Sequence, residues 1–439
     1  MREQPWRKAV RHVSVHRFVS IVFAVAALSV GATAPLCAQS ADPLRLEDAL
    51  RIAAERSQQL VARGAAAIAA REMAVAAGEA PDPTLTVGIG NLPVDGADAW
   101  SLTRDFMTMR SIGFMRELTR GDKLDARAAR FEREAEAADV RRTLALADLQ
   151  RGTALAWFDR YYRERARDVL ARQKGEAALQ IEAADLAFRT GLGPQSDVFA
   201  ARSSLAEIED RIAENERDVE VAAIELARWI GAAAARPLAD PPATNSVSLH
   251  PADLDARLAH HPQIQLLLKQ EEMARAEAEI ARANKRSDWT VEVMYSQRGP
   301  GFSDMMSLNV SKPLQWRERN RQDRELAAKL ALAEEMRAER EEETRMHVAE
   351  ARALLQAWQR NLERLGRYAS TLIPLAGQRT LAATAAYRGG TGTLDAVLEA
   401  RIAEIDTRLD HLTLEMETAA LWAEINYLTP EAHDAAQNE

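Results

Sequence analysis

Trp289-Thr290-Val291-Glu292-Val293-Met294-Tyr295-Ser296 alternates Trp, Val, Val and Tyr with Thr, Glu, Met and Ser, the two-residue period of a strand with one apolar face. The same alternation occurs in Thr84-Leu85-Thr86-Val87-Gly88-Ile89-Gly90, about 204 residues earlier. Two further stretches, Ser111-Ile112-Gly113-Phe114-Met115 and Ser307-Leu308-Asn309-Val310-Ser311, repeat it and lie about 196 residues apart. In every case one face is apolar and the other small or polar. That is the lipid-out, lumen-in pattern of a membrane barrel, with Trp100, Trp289, Tyr295 and Trp316 available for its interfaces. A half-buried soluble sheet alternates in the same way, so the strands alone leave both architectures open.

Around these strands the chain is helical. Helical patterning leads from Asp42-Pro43-Leu44-Arg45-Leu46 to Gly78 and stops at Pro81-Asp82-Pro83. It resumes from about Asp122 to Arg189, breaks at Gly191-Leu192-Gly193-Pro194, and continues to Ile230. A connector from Gly231 to His250 holds Pro237, Pro241 and Pro242. The plan then recurs: Asp253 to Lys285 is helical, two strands follow, and Gln315 to Ile373 forms a run interrupted only by Gly366. At 1.5 Å rise per residue such a run extends about 90 Å, too long for a compact domain. Its apolar seam, His347, Ala351, Leu354, Trp358, Leu365, Tyr368 and Leu372, has coiled-coil spacing. Tyr387-Arg388-Gly389-Gly390-Thr391-Gly392-Thr393-Leu394-Asp395 resembles the first break, to within about one residue of register, and so marks an internal duplication with a period near 200.

Composition agrees with long, close-packed helices. The chain of 439 residues is 47% hydrophobic but only 5% aromatic, with Ala dominating the apolar part. One cysteine excludes a disulfide framework and any multi-thiolate metal site, and pI 5.6 argues against nucleic-acid binding. Residues 1–38 read as a secretory signal peptide: Arg2, Arg7, Lys8, Arg11 and Arg17 precede an uncharged run from Phe18 to Val30, which is followed by Gly31-Ala32-Thr33-Ala34. That run is short of the roughly twenty residues a spanning helix needs. Cys37 follows it as a possible lipidation site, although Pro35 and Leu36 are not the small residues a lipoprotein peptidase prefers. Removing residues 1–37 takes away five positive and one negative charge, moving the net charge from −9 to −13. Four strands cannot close a barrel, for which about eight is the practical minimum, and unpaired edges are untenable in hydrocarbon. A membrane sheet of this kind therefore demands several chains; two give eight strands and three give twelve.

The order of elements, the duplication, the paired breaks, and the opening motifs Leu44-Arg45-Leu46-Glu47-Asp48-Ala49-Leu50 and His261-Pro262-Gln263-Ile264 resemble the TolC family of outer-membrane efflux proteins over about residues 42–428. The resemblance implies a mainly α fold with a small membrane β part. Long coiled-coil helices would form a trimeric α-barrel, capped by a 12-stranded β-barrel with four strands per protomer. The first repeat would occupy 42–230, with strands near 84–90 and 110–118; a connector 231–250; the second repeat 251–428, with strands near 288–296 and 306–314; and a polar tail 429–439. The partners implied are two further copies, a periplasmic adaptor (membrane fusion protein), an inner-membrane efflux pump and outer-membrane lipid. No cofactor and no nucleic acid is expected.

Carried over residue by residue, the resemblance places Gly191, Leu192, Gly390 and Thr391 at hairpin tips that touch the adaptor; plain helix-breaking is the simpler explanation of these glycines. It suggests a pore constriction at Glu399, while the second acidic position falls on Ala396 with Asp395 beside it. Three copies of Asp395 and Glu399 facing one lumen would favour cations, although either carboxylate also suits a helix start. Phe106-Met107-Thr108-Met109 and Met115, with Asn91-Leu92-Pro93-Val94-Asp95 and Arg120-Gly121-Asp122-Lys123, resemble the heavy-metal branch more than the drug branch. Met305 and Met306 occupy the equivalent loop of the second half. Thioether sulfur suits soft ions, so Met107, Met109, Met305 and Met306 are metal candidates, although methionines also serve as adaptable packing.

Enzyme motifs are missing. The i,i+4 pair His12 and His16 lies in the signal, no His-Glu-x-x-His or Gly-x-Ser-x-Gly occurs, and Gly389-Gly390-Thr391-Gly392 lacks the following Lys-Ser/Thr of a phosphate loop. The expectation is a passive exit duct for substrate, heavy-metal cations foremost, coming from an inner-membrane pump. The alternative is a soluble periplasmic coiled-coil adaptor or scaffold.

Overall fold

The computed structural model describes residues 42–247 and 260–430. The signal segment 1–38 with Cys37, the end of the connector, the start of the second repeat and most of the 429–439 tail lie outside the described residues.

The described chain opens on an extended segment whose Leu44 forms a parallel bridge with Leu238 of the connector: Leu44 N donates to Pro237 O (2.8 Å) and Ala239 N to Leu44 O (3.1 Å). Helix α1 (Leu46–Arg56) buries Leu46, Ala49, Leu50 and Ala53. The sequence suggests one helix to Gly78, but the structure breaks it at Ser57, which takes extended backbone angles and accepts the Leu60 N–H on its hydroxyl (3.3 Å). A serine that caps satisfies a donor that a continuing helix would satisfy internally, so two helices cost little more than one. Helix α2 (Gln58–Gly78) then buries Ala67, Ala70 and Ala74 along α3 (Gly121–Arg189), a 69-residue helix about 100 Å long. Strands β1 (Thr84–Gly90) and β2 (Met109–Leu118) lie between α2 and α3, and α4 (Gln195–Ile230) folds back along α3.

The second half repeats this order with α5 (Pro262–Ala283), β3 (Trp289–Gln297) and β4 (Met305–Ser311). The long helix does not begin at Gln315. A loop through Trp316 and a short 3-10 turn, Glu318–Asn320, delay it to Gln322, and it then runs past both Gly366 and Pro374 to Arg388. It consists of α6 (Gln322–Arg367), a π-helical turn at Tyr368–Leu372, and α7 (Ile373–Arg388). Pro374 has no N–H for the carbonyl four residues back, and its ring crowds that carbonyl. The widened turn just before it absorbs the mismatch, and the Ser370 hydroxyl donates to Gly366 O at 2.8 Å. Helix α8 (Leu394–Asn426) completes the fold.

The largest core lies around Trp157, Phe158, Leu44, Leu50, Leu226, Ile230, Ala419 and Tyr427. A second core joins Ile264, Ala351, Leu355, Trp358 and Ile425, which places the expected seam residues Ala351 and Trp358 inside. Toward the other end, Ile208 and Ile405 pack with Leu170 and Ala177. Alanine faces let long helices approach closely, and the buried aromatics Trp157, Phe158, Tyr162 and Tyr427 gather in the first of these cores. No helix among the described residues is long and apolar enough to cross a membrane.

Candidate pore-lining sheet and hairpin tips

The four strands form one antiparallel sheet in the order β1-β2-β3-β4, leaving the outer edges of β1 and β4 without a strand partner among the described residues. The register aligns Leu85 with Phe114, Phe114 with Val293 and Val293 with Leu308. The next row is Val87, Ile112, Tyr295 and Met306. These side chains share one face and none is covered: Val87 is 72% exposed and Leu308 67%. Arg110 and Arg116 stand on this face toward the two ends of β2, where long cationic side chains can reach polar surroundings. Strand β2 has 10 residues, the length that crosses a bilayer core when tilted by about 45°.

The opposite face carries Thr84, Thr86, Gly88, Ser111, Gly113, Thr290, Glu292, Ser296, Ser307 and Asn309. Asn309 Nδ2 donates to Glu292 Oε2 at 3.2 Å. The four metal candidates do not converge. Met109 and Met305 lie on the polar face, Met306 on the apolar face beside Tyr295, and Met107 in the β1–β2 loop, where its N–H donates to Asp105 Oδ1 (2.7 Å). The register adds Met115 and Met294 to the polar face. Met294 was readable as a member of that face from its alternation with Thr290 and Glu292, but its neighbours on β2 come from a distant part of the chain. No group of three or more His, Cys, Asp or Glu among the described residues could hold a metal ion.

The two strand-connecting loops pack together. Phe106 and Phe302 meet at 6.4 Å between ring centroids, and Gly299 sits so close to Thr103 that a Cβ would lie 1.8 Å from its carbonyl oxygen, which only glycine permits. At the sheet's other end Lys123 Nζ meets Asp288 Oδ2 at 2.6 Å in a largely buried pair, and Asp288 Oδ1 accepts the Arg120 N–H (3.1 Å). This clamp joins the start of α3 to the start of β3.

The hairpin tips are near copies. Gly191 and Gly390 both have positive φ, 75° and 70°, and stand 199 residues apart. Leu192 and Gly193 donate to Ala187 O as Thr391 and Gly392 donate to Ala386 O, at 2.8–3.1 Å. Ala184, Val198, Ala201, Leu394, Val397 and Leu398 bind the two hairpins to each other, bringing the four tip residues to one end. Leu192 is 85% exposed. Asp395 and Glu399 are both exposed on the first turns of α8, where the Thr393 hydroxyl caps the helix by accepting from Ala396 N (3.3 Å). Glu399 is not a free carboxylate: Arg379 of α7 lies 3.2 Å from it. Elsewhere, burial, then His347 and Arg151, push His261 down to about 4, and burial raises the Glu415 carboxyl against the opposing pull of His411.

No family model matches the chain, and neither does any curated protein. Solved structures do. The outer-membrane channel OprN aligns with TM-score 0.74 at 16% identity, over 88% of this chain and 90% of its own. CusC, known from structures of its folding and transmembrane channel formation, aligns with TM-score 0.76 at 14% identity, over 88% and 92%. VceC, an outer-membrane protein of Vibrio cholerae, aligns with TM-score 0.72 at 18% identity, over 87% and 95%. The chain therefore has the fold of outer-membrane channels, as the resemblance implied.

Proposed function

We propose that this chain is one subunit of a homotrimeric outer-membrane exit duct, extending into the periplasm and passively conducting substrate delivered by an inner-membrane pump and a periplasmic adaptor. The observation that carries this is the sheet: an uncovered apolar face, a polar opposite face, and two edges without a strand partner among the described residues. In water such a sheet would be an aggregation site. In a membrane it is one third of a closed twelve-stranded barrel, with β4 of each copy pairing β1 of the next, so that every backbone group is satisfied. Uncovered apolar side chains on the helices, Val61, Ile68 and Val75 of α2, Val221 and Ile224 of α4, and Leu375 and Leu381 of α7, support further burial between copies.

The two repeats, 42–230 and 251–428, would each supply half of a protomer's strands and helices. The tips at Gly191, Leu192, Gly390 and Thr391 would meet the adaptor, since they are exposed, alike and at one end. Asp395 would line the periplasmic entrance, with Glu399 contributing only as far as Arg379 leaves its charge free. Cations, heavy-metal ions among them, are the substrates that an acidic exported chain with these carboxylates favours.

The test compares Val293→Arg, on the apolar face, with Ser307→Arg, on the polar face. An arginine at the lipid midplane costs about 2–4 kcal/mol, so Val293→Arg should abolish the heat-sensitive oligomer that detergent extracts, while Ser307→Arg should leave it intact. Equal effects would contradict the barrel. Release of the unmodified protein by high salt, without detergent, would favour a soluble periplasmic scaffold.

A further inference from the structure

Three methionines cross the polar face of the sheet in one diagonal. Met115 on β2 stands opposite Glu292, Met294 on β3 stands opposite Gly113 and Ser307, and Met305 on β4 stands opposite Ser296. Met115 and Met294 are therefore diagonal neighbours across β2 and β3, as Met294 and Met305 are across β3 and β4. Such neighbours lie about 7–8 Å apart at the backbone, within reach of long side chains. The path between them is clear. Gly113 has no side chain, and the terminal methyl of Met294 lies across it, 3.4 Å from where a Cβ would be, so Met294 is turned toward the strand that carries Met115. Ser111, Ser296 and Ser307 fill the neighbouring positions with small side chains.

Packing does not account for Met115 and Met305. A methionine that fills a core gap needs a body to pack against, yet Met115 is 37% exposed and Met305 45%, and the partly buried Met294 rests its methyl over Gly113. Barrel interiors are ordinarily polar, and the next positions on the same face are Gly113 and Glu117 beside Met115, Glu292 and Ser296 beside Met294, and Ser307 beside Met305. Thioethers are soft, neutral donors that prefer monovalent thiophilic cations over hard ions, and the Glu292 carboxylate beside Met115 supplies opposite charge. The geometry points to a thioether band of Met115, Met294 and Met305 on the pore wall, repeated in each copy, that binds soft monovalent cations weakly and reversibly as they pass. This rests on the duct proposed above, which makes the polar face the lumen. Met306, on the other face, takes no part.

The test uses the detergent-extracted full-length oligomer in chloride-free buffer with silver(I) nitrate as probe, read by isothermal titration calorimetry. Substitution of all three by Leu (M115L/M294L/M305L) keeps the volume nearly unchanged, and M306L serves as control. Silver affinity should fall at least tenfold in the triple variant and remain as it was in M306L. Equal silver binding by the unmodified protein and the triple variant, or an equal loss in M306L, would overturn the band. Planar-bilayer conductance on the same samples separates the two claims. Pores in both, with unchanged silver binding, would reject the band and keep the duct; no pores in the unmodified protein would reject the duct and, with it, the lumenal position of the band.

Discussion

The indole N–H of Trp157 donates to the carbonyl of Leu44 across 3.2 Å, and both residues are fully buried. Trp358 repeats the arrangement 201 residues later, donating to Thr244 O at 3.0 Å. Each of these long helices is thus pinned through one indole, α3 to the opening segment at Leu44 and α6 to the connector at Thr244. Trp157→Phe removes the bond and leaves a buried carbonyl with one partner fewer, since Ala239 N still donates to it. The expected loss is about 1–2 kcal/mol, whereas Trp157→Ala should cost about 3–5 kcal/mol. Thermal unfolding of the detergent-solubilised protein reads both; no difference between Phe and Ala would show that the ring's packing contributes nothing.

The tips separate backbone demand from surface contact. Gly191→Ala and Gly390→Ala each force a side chain into the left-handed region and should cost about 1 kcal/mol. Leu192→Glu, at an exposed position, should change stability by no more than about 0.5 kcal/mol. Urea unfolding should rank them in that order. A large loss from Leu192→Glu would mean that the tip is packed rather than presented.

Arg379 and Glu399 form an exposed pair that contributes little to folding. Near a pore entrance their charges matter more. Glu399→Gln should lower the preference for cations over anions, and Arg379→Ala should raise it, both read as opposite shifts of the reversal potential under a salt gradient. Shifts in the same direction would remove Glu399 from the entrance.

His261 titrates abnormally low, about 4 against 6.5, because burial and the neighbouring His347 and Arg151 disfavour its charged form. The unfolded chain therefore binds a proton that the folded chain refuses between these values. Stability is full above pH 6.5 and falls as pH drops toward 4, by about 3 kcal/mol per chain for this group. His261→Asn can still accept the Gln263 N–H, as His261 Nδ1 does at 3.2 Å, but it cannot titrate. Melting temperature against pH between 6.5 and 5 should be flatter in the variant; parallel curves would rule His261 out.

Local pattern located the strands because their period is two and their neighbours are helical: Thr84–Gly90 coincides with β1 residue for residue. It placed the tips because glycine at positive φ punctuates a helix. It failed at Gln315, since Arg317 to Arg321 has helix-forming composition but the backbone there is a loop and a short turn. It failed again at Pro374, which a π turn accommodates without ending the helix. The Arg379–Glu399 pair needs the α7–α8 hairpin closed before it can be seen. The contact of Met294 with Gly113 needs the β2–β3 register, a pairing of residues far apart in the chain that no local signal carries.

Single-channel recording from the purified protein in planar bilayers, with heated and unheated gel migration of the same sample, addresses the duct most directly. Stable cation-selective pores from a heat-sensitive trimer are predicted. Absence of any pore, with the protein in the salt-washed soluble fraction, would contradict the duct and leave the four strands as an ordinary sheet.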